Sequence, residues 1–183
     1  MTLLIIGLVL FFAVHLVPDL ALKSALVKTF GRQGYRGLFS LVALAGLGLI
    51  IYGKGHSAYE LIWAPPLAMR YVTAVLMLIA IVLLTISVLP NNLRRGIRHP
   101  MLLGVCLWAV GHLLANGNLS TLLLCGSFLA FSVWKMLAVS KRGPFLPPAP
   151  VGSGWNFITI VAGVGFYVLI VLFHGKIAGI PLA

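Results

Sequence analysis

The sequence predicts an all-α, polytopic transmembrane helical bundle of about six spans, with both termini on the non-cytoplasmic side. Three observations carry this. The 183 residues are 61% hydrophobic and only 8% charged, with a mean hydropathy of +1.13, whereas a soluble domain is about a quarter charged. The apolar residues fall into runs close to the ~20 residues that a span requires. The formal charge of +11 sits in short basic patches between those runs. That is the pattern of cytoplasmic loops under the positive-inside rule, not of a surface that binds nucleic acid.

The first span reads Thr2 to Leu22. No Lys or Arg precedes its apolar core, so it is expected to be an uncleaved anchor with its N-terminus outside. The second, Gly37 to Gly53, is short and rich in Gly and Ala. The loop Lys54 to Arg70 is too hydrophobic for a free coil, and Leu61, Ile62 and Trp63 are expected in the membrane interface. The third span runs Tyr71 to Leu89 and stops at Pro90. The fourth opens on Pro100, a residue suited to a first helical position, and ends near Ala115. Asn116-Gly117-Asn118 is turn chemistry, which makes a tight hairpin with the fifth span, Leu119 to Val139. The stretch Gly143 to Gly154 is a proline-stiffened linker, and the sixth span reads Trp155 to Phe173. With no internal repeat, residues 1–183 read as one transmembrane domain.

Orientation follows from the charges. Lys23, Lys28, Arg32 and Arg36 mark the first loop, Arg94, Arg95 and Arg98 the third, and Lys141 and Arg142 the fifth. The other side has Lys54, Arg70 and Lys176, partly offset by Glu60. Odd loops are therefore cytoplasmic. Cys106 and Cys125 lie in apolar runs without metal-ligand spacing and read as small hydrophobes.

Ionisable groups within a membrane span are costly, so each is a candidate functional group. His15 lies toward the cytoplasmic end of the first span, with Asp19 at i+4 on the same face. A metal-bound imidazole gives its second N–H to a carboxylate or carbonyl, and Asp19 has the type and spacing for that role or for contact with Lys23. Pro18 is expected to bend the helix there. His112 lies deep in the fourth span, with Trp108 at i−4 and Asn116 at i+4. A flat aromatic and an amide beside an imidazole suit a porphyrin pocket. The plainer alternative for both histidines is a polar contact between helices, at about 0.6 kcal/mol each.

Neutral imidazoles on two spans make haem iron the ligand class to test. His99 and His112 are 13 residues apart, hence about 140° around and about 20 Å along one helix, so they cannot share a metal. His15 must pair with one of them, and by depth it falls between the two. His99, beside Arg94, Arg95 and Arg98, reads as a cytoplasmic rim that holds haem propionates or phospholipid headgroups. His56 and His174 read as interfacial. Phe11, Phe12, Phe128, Phe131 and Trp134 are candidates to line a large apolar ligand, or else pack or face lipid. Asp19 and Glu60 are the only acids, which argues against a transporter with an acidic proton relay.

The pattern R-H-P-x-x-x-G-x-x-L-W-A-x-x-H-L-L-x-N-G from Arg98 to Gly117, with the early F-x-x-x-H of Phe11 to His15, resembles the NnrU family of membrane proteins over nearly the whole chain. The resemblance implies a bacterial cytoplasmic-membrane protein linked to nitrite and nitric oxide reduction in denitrification. The same domain occurs in the 15-cis-zeta-carotene isomerases, which bind haem b. That likeness implies two histidine ligands, falling on His15 and His112, with His99 on the R-H-P histidine. Those isomerases carry an additional N-terminal region, and the start of this chain almost at its first span favours the bacterial branch.

Three functions follow. The first is a haem b protein with bis-histidine ligation by His15 and His112, supported by Trp108, Asn116, Asp19 and Arg98, serving a redox partner. The second is a haem-dependent cis-trans isomerase of a carotenoid entering from the lipid, in which reduction frees one histidine. The third is a cofactor-free transporter or assembly factor with the histidines as interhelical contacts.

Overall fold

The computed structural model describes residues 1–20 and 22–178, so Ala21, inside the expected first span, lies outside the described residues. Every regular element among them is helical: α1 Thr2–Leu16, α2 Leu22–Gly55, α3 Met69–Val88, α4 Pro100–Ala115, α5 Leu119–Ser140 and α6 Gly154–Ala178, with 3₁₀ turns at Val17–Asp19 and Leu93–Arg95. Five of these stretches are long and apolar enough to cross a membrane, while α4 is a shorter apolar helix. Its 16 residues cover about 24 Å at ~1.5 Å per residue, short of the ~30 Å hydrocarbon core. The molecule is all-α and multi-pass.

Two compact units are present: Met1–Leu61 with Asn118–Leu124, and Ile62–Gly117 with Cys125–Ala183. In the first, α1 stops at Leu16 and a 3₁₀ turn carrying Pro18 takes over. Leu20 is then extended, at φ −100° and ψ 158°. The bend expected at Pro18 is thus a helix end, with Leu16 six residues short of the expected limit at Leu22.

The charged segment Lys23–Arg36, expected as a loop, is instead part of the 34-residue α2. Its Leu, Ala, Lys, Arg and Gln residues are good helix formers, and charge alone does not unwind them. What interrupts α2 is Gly31, at φ 70° and ψ 169°, a conformation that side chains with a Cβ avoid.

α1 and α2 meet along a seam of glycines. A Cβ on Gly7 would lie 2.7 Å from Ile50 N and 2.8 Å from Gly46 O. One on Gly46 would lie 2.9 Å from Phe11 N, and one on Gly53 would collide with the Leu4 backbone. Gly46 and Gly53, two helical turns apart, share one face. Small residues let backbones approach in lipid, where association depends on packing and not on exclusion of water. Leu4, at 0% exposure, is sealed in this seam.

In the second unit, α3 packs on both α4 and α6. Gly104 and Gly111 lay α4 close against α3, where Thr73 Oγ1 donates to Gly111 O at 2.9 Å. Gly163 of α6 sits against Val82 in the same way. The buried Asn91 caps the end of α3: its Nδ2 donates to Ile86 O (2.8 Å) and Leu89 O (2.7 Å), and its Oδ1 accepts from Arg94 N–H (3.0 Å). Asn92 exchanges two hydrogen bonds with the Val151 backbone, at 2.7 and 2.9 Å, and its N–H donates to Asn156 Oδ1 at 2.7 Å. These ties, with the prolines, fix the 143–154 linker.

The apolar 54–70 loop is held by main-chain hydrogen bonds to the 116–118 turn. In the first unit Leu119 N–H donates to Glu60 O at 2.8 Å. In the second, Ile62 and Trp63 N–H both donate to Gly117 O, at 2.8 and 3.2 Å. Leu61, Ile62 and Trp63 keep their side chains exposed.

Candidate functional site

His15 and His112 occupy equivalent local positions in different units. Each sits in the last turn of its helix. The Nδ1–H of His15 donates to Phe11 O at 2.6 Å, and that of His112 to Trp108 O at 2.9 Å. A carbonyl only accepts, so in a neutral imidazole the proton belongs on Nδ1, and Nε2 is the lone-pair nitrogen. The orienting acceptor expected at Asp19 is therefore, for Nδ1, the carbonyl of the preceding turn. Asp19 itself ends the 3₁₀ turn Val17–Asp19.

Both imidazoles are walled by aromatic rings. His15 lies 4.2 Å from Phe11 at an interplanar angle of 30°, and 5.2 Å from Phe39 at 66°. His112 lies 4.9 Å from Trp108, which meets Phe128 edge-on at 5.7 Å. Phe11 and Phe128 were among the aromatics expected to line a ligand, whereas Phe39 was not. The available signal was its apolar run in the second span.

Asn116 is the C-cap of α4, extended at φ −135° and ψ 119°. Its Nδ2 donates to His112 O at 3.1 Å, so the amide closes the last turn through the backbone of His112. His112 itself is three residues from the end of α4, not deep in the span.

His99 differs from both. It is the N-cap of α4, and its Nε2 lies 3.0 Å from Ser140 Oγ. Burial, then the adjacent Arg98 guanidinium, hold its imidazole below the usual histidine range. Arg98 Nη2 donates to Val139 O (3.3 Å), Ser140 O (3.2 Å) and Gly143 O (2.6 Å), which caps the C-terminus of α5. His56, at the exposed end of α2, repeats the i−4 bond with Tyr52 O at 2.9 Å, but outside the apolar run. Among the described residues no group of three or more His, Cys, Asp or Glu gathers in metal-binding proximity, a criterion that a two-histidine haem site does not need to meet.

Lys54 was read from the sequence only as an outer-loop charge. In the first unit its Nζ donates to Asn118 Oδ1 (3.1 Å), Ser120 Oγ (2.7 Å) and Thr121 Oγ1 (2.8 Å). Asn118 also accepts from Thr121 N–H at 2.9 Å, as the cap of α5. Hydrogen bonds to a charged donor contribute about 1.5–3 kcal/mol. Lys54→Met should therefore lower the thermal midpoint by several degrees, at roughly 2–4 °C per kcal/mol. An unchanged midpoint in detergent would show that the cluster adds nothing.

The helices and their apolar faces define an integral multi-pass membrane protein. The chain belongs to the NnrU family: the family model described as NnrU protein matches residues 3–182. No curated protein and no solved structure matches it.

Proposed function

We propose that this protein binds haem b through His15 and His112 in the bacterial cytoplasmic membrane and serves nitrite or nitric oxide redox metabolism. The observation that carries the reading is the shared setting of the two imidazoles. In both, a main-chain carbonyl one turn back accepts the Nδ1 proton, which orients the ring and puts the lone pair on Nε2, the form in which a histidine ligates a metal. Aromatic rings stand against both. The donor set suits iron, since neutral imidazole is a ligand of haem.

His99 is set apart by its place at the N-cap of α4 instead of in the last turn of a helix. The link to nitrogen oxides rests on the family resemblance. Haem held by two histidines would supply one-electron transfer, so the reading is electron transfer or sensing. Phe11 and Phe39 pack against the first imidazole, and Trp108, itself met by Phe128, against the second, while the Phe11 and Trp108 carbonyls hold their protons.

The test is one absorption spectrum of protein purified in detergent from haem-replete cells, oxidised and then reduced. A Soret band with low-spin character is expected, and a colourless, well-folded protein refutes the proposal.

A further inference from the structure

The kink at Gly31 divides α2 into two helices, residues 22–30 and 32–55, both within the first unit. A Cβ on Gly31 would meet nothing within 4 Å, so the glycine answers to its φ of 70° and not to a close neighbour. Residues 32–55 alone cover about 36 Å at ~1.5 Å per residue, enough to cross the ~30 Å hydrocarbon core. Residues 22–30 are left over from the span.

This leftover helix has two unlike faces. Leu22, Ala25, Leu26, Thr29 and Phe30 recur at the spacing of one helical face. Leu22 and Phe30 are each 55% exposed. The Thr29 hydroxyl gives its proton to Ala25 O at 3.0 Å, so it sets no unpaired donor on that face. Lys23 and Lys28 flank the face, one on each side, where long stems can follow apolar surface while the ammonium stays at headgroup level. Arg32 and Arg36 follow at i, i+4 on the other side of the kink. All four cationic side chains are exposed, and they make no hydrogen bond or ion pair among the described residues.

We propose that residues 22–30 lie in the cytoplasmic membrane–water interface and gather anionic phospholipid. Leu22, Leu26 and Phe30 rest against the acyl chains, and Lys23, Lys28, Arg32 and Arg36 hold the headgroup phosphates. Gly31 alone separates this helix from the span, which keeps its apolar face at the bilayer surface. A second copy would set like charges against it, and an acidic protein would leave Leu22 and Phe30 without an apolar partner. The proposal does not depend on the haem reading.

The test uses the full-length protein, one copy per nanodisc, in phosphatidylcholine alone or mixed with phosphatidylglycerol, read by amide hydrogen exchange. Residues 22–30 must leave the surface to open, so their exchange reports how firmly lipid holds them. An anionic surface holds each nearby Lys or Arg about fivefold more firmly, so phosphatidylglycerol should slow exchange there about twentyfold or more. Lys28→Gln should give back about fivefold of that slowing. Phe30→Glu, at an already exposed position, should abolish it. Arg95→Gln removes an equal charge from the Leu93–Arg95 turn and should change exchange in residues 22–30 less than twofold. Unchanged exchange in α3 shows that each variant is folded.

Equal slowing in both lipids would leave apolar contact only and overturn the anionic lipid. Equal losses in the Lys28 and Arg95 variants would reduce the effect to diffuse charge and overturn the site. Fast exchange in both lipids would take the helix off the membrane, leave its face to an acidic protein and overturn the proposal. Slowing that needs two copies per disc would assign the face to a second copy and overturn it as well.

Discussion

Gly53→Ala should destroy the packing of the first unit. The added methyl would collide with the Leu4 backbone and stand 2.8 Å from Leu3 C and from Leu4 Cα. These are main-chain atoms inside a helix, so no rotamer change relieves the clash, and α1 must move outward as a body. That movement parts Gly7 from Ile50 and Gly46 from Phe11, the contacts that hold the two helices together. Overpacking against side chains costs about 1–3 kcal/mol, and against backbone along a whole seam the upper end or more is expected.

Gly48→Ala supplies the comparison. A Cβ on Gly48 meets nothing within 4 Å, so this substitution should be neutral or stabilising by up to about 1 kcal/mol through helix propensity. Size-exclusion profiles and thermal midpoints in detergent read the contrast. Equal behaviour of the two variants would mean that the α1–α2 approach is not close.

The second large effect is spectroscopic. His15→Ala and His112→Ala should each abolish the low-spin bis-histidine spectrum, because neither imidazole has a substitute of its type in its own last turn. His99→Ala should leave the spectrum unchanged, since its Nε2 serves Ser140 at the end of α5. Retention of the wild-type spectrum in both of the first two variants would disprove the ligand assignment. Loss in His99→Ala alone would move the second ligand to the rim.

Where the sequence carried local stop and start signals, the helices were legible. Pro100 opens α4, and Asn116-Gly117 closes it, at the expected residues. The fifth helix ends at Ser140, one residue past its expected limit. The segment before Gly37 was misjudged because basic residues mark the side of a membrane, not the absence of a helix. At the site, His15, His112 and Trp108 were visible as rare residue types at helical spacing. Lys54 was not, because its acceptors Asn118, Ser120 and Thr121 lie more than 60 residues away. A lysine past the end of an apolar run carries no sign of what it will meet. Arg98 was visible as a charge, but its grip on three carbonyls depends on where α5 ends.

The brevity of α4 bears on how His112 meets water. A helix about 6 Å shorter than the hydrocarbon core is accommodated by thinning of the bilayer around it, at a fraction of a kcal/mol per Å. Headgroups and solvent are thereby drawn inward at both ends of the helix. His112 is three residues from one of those ends, beside the Asn116 cap. Hydrophobic mismatch thus brings the aqueous phase within about a turn of this imidazole. In a chain with only two acidic side chains, that is a route by which protons can reach a half-buried histidine without a relay of acids.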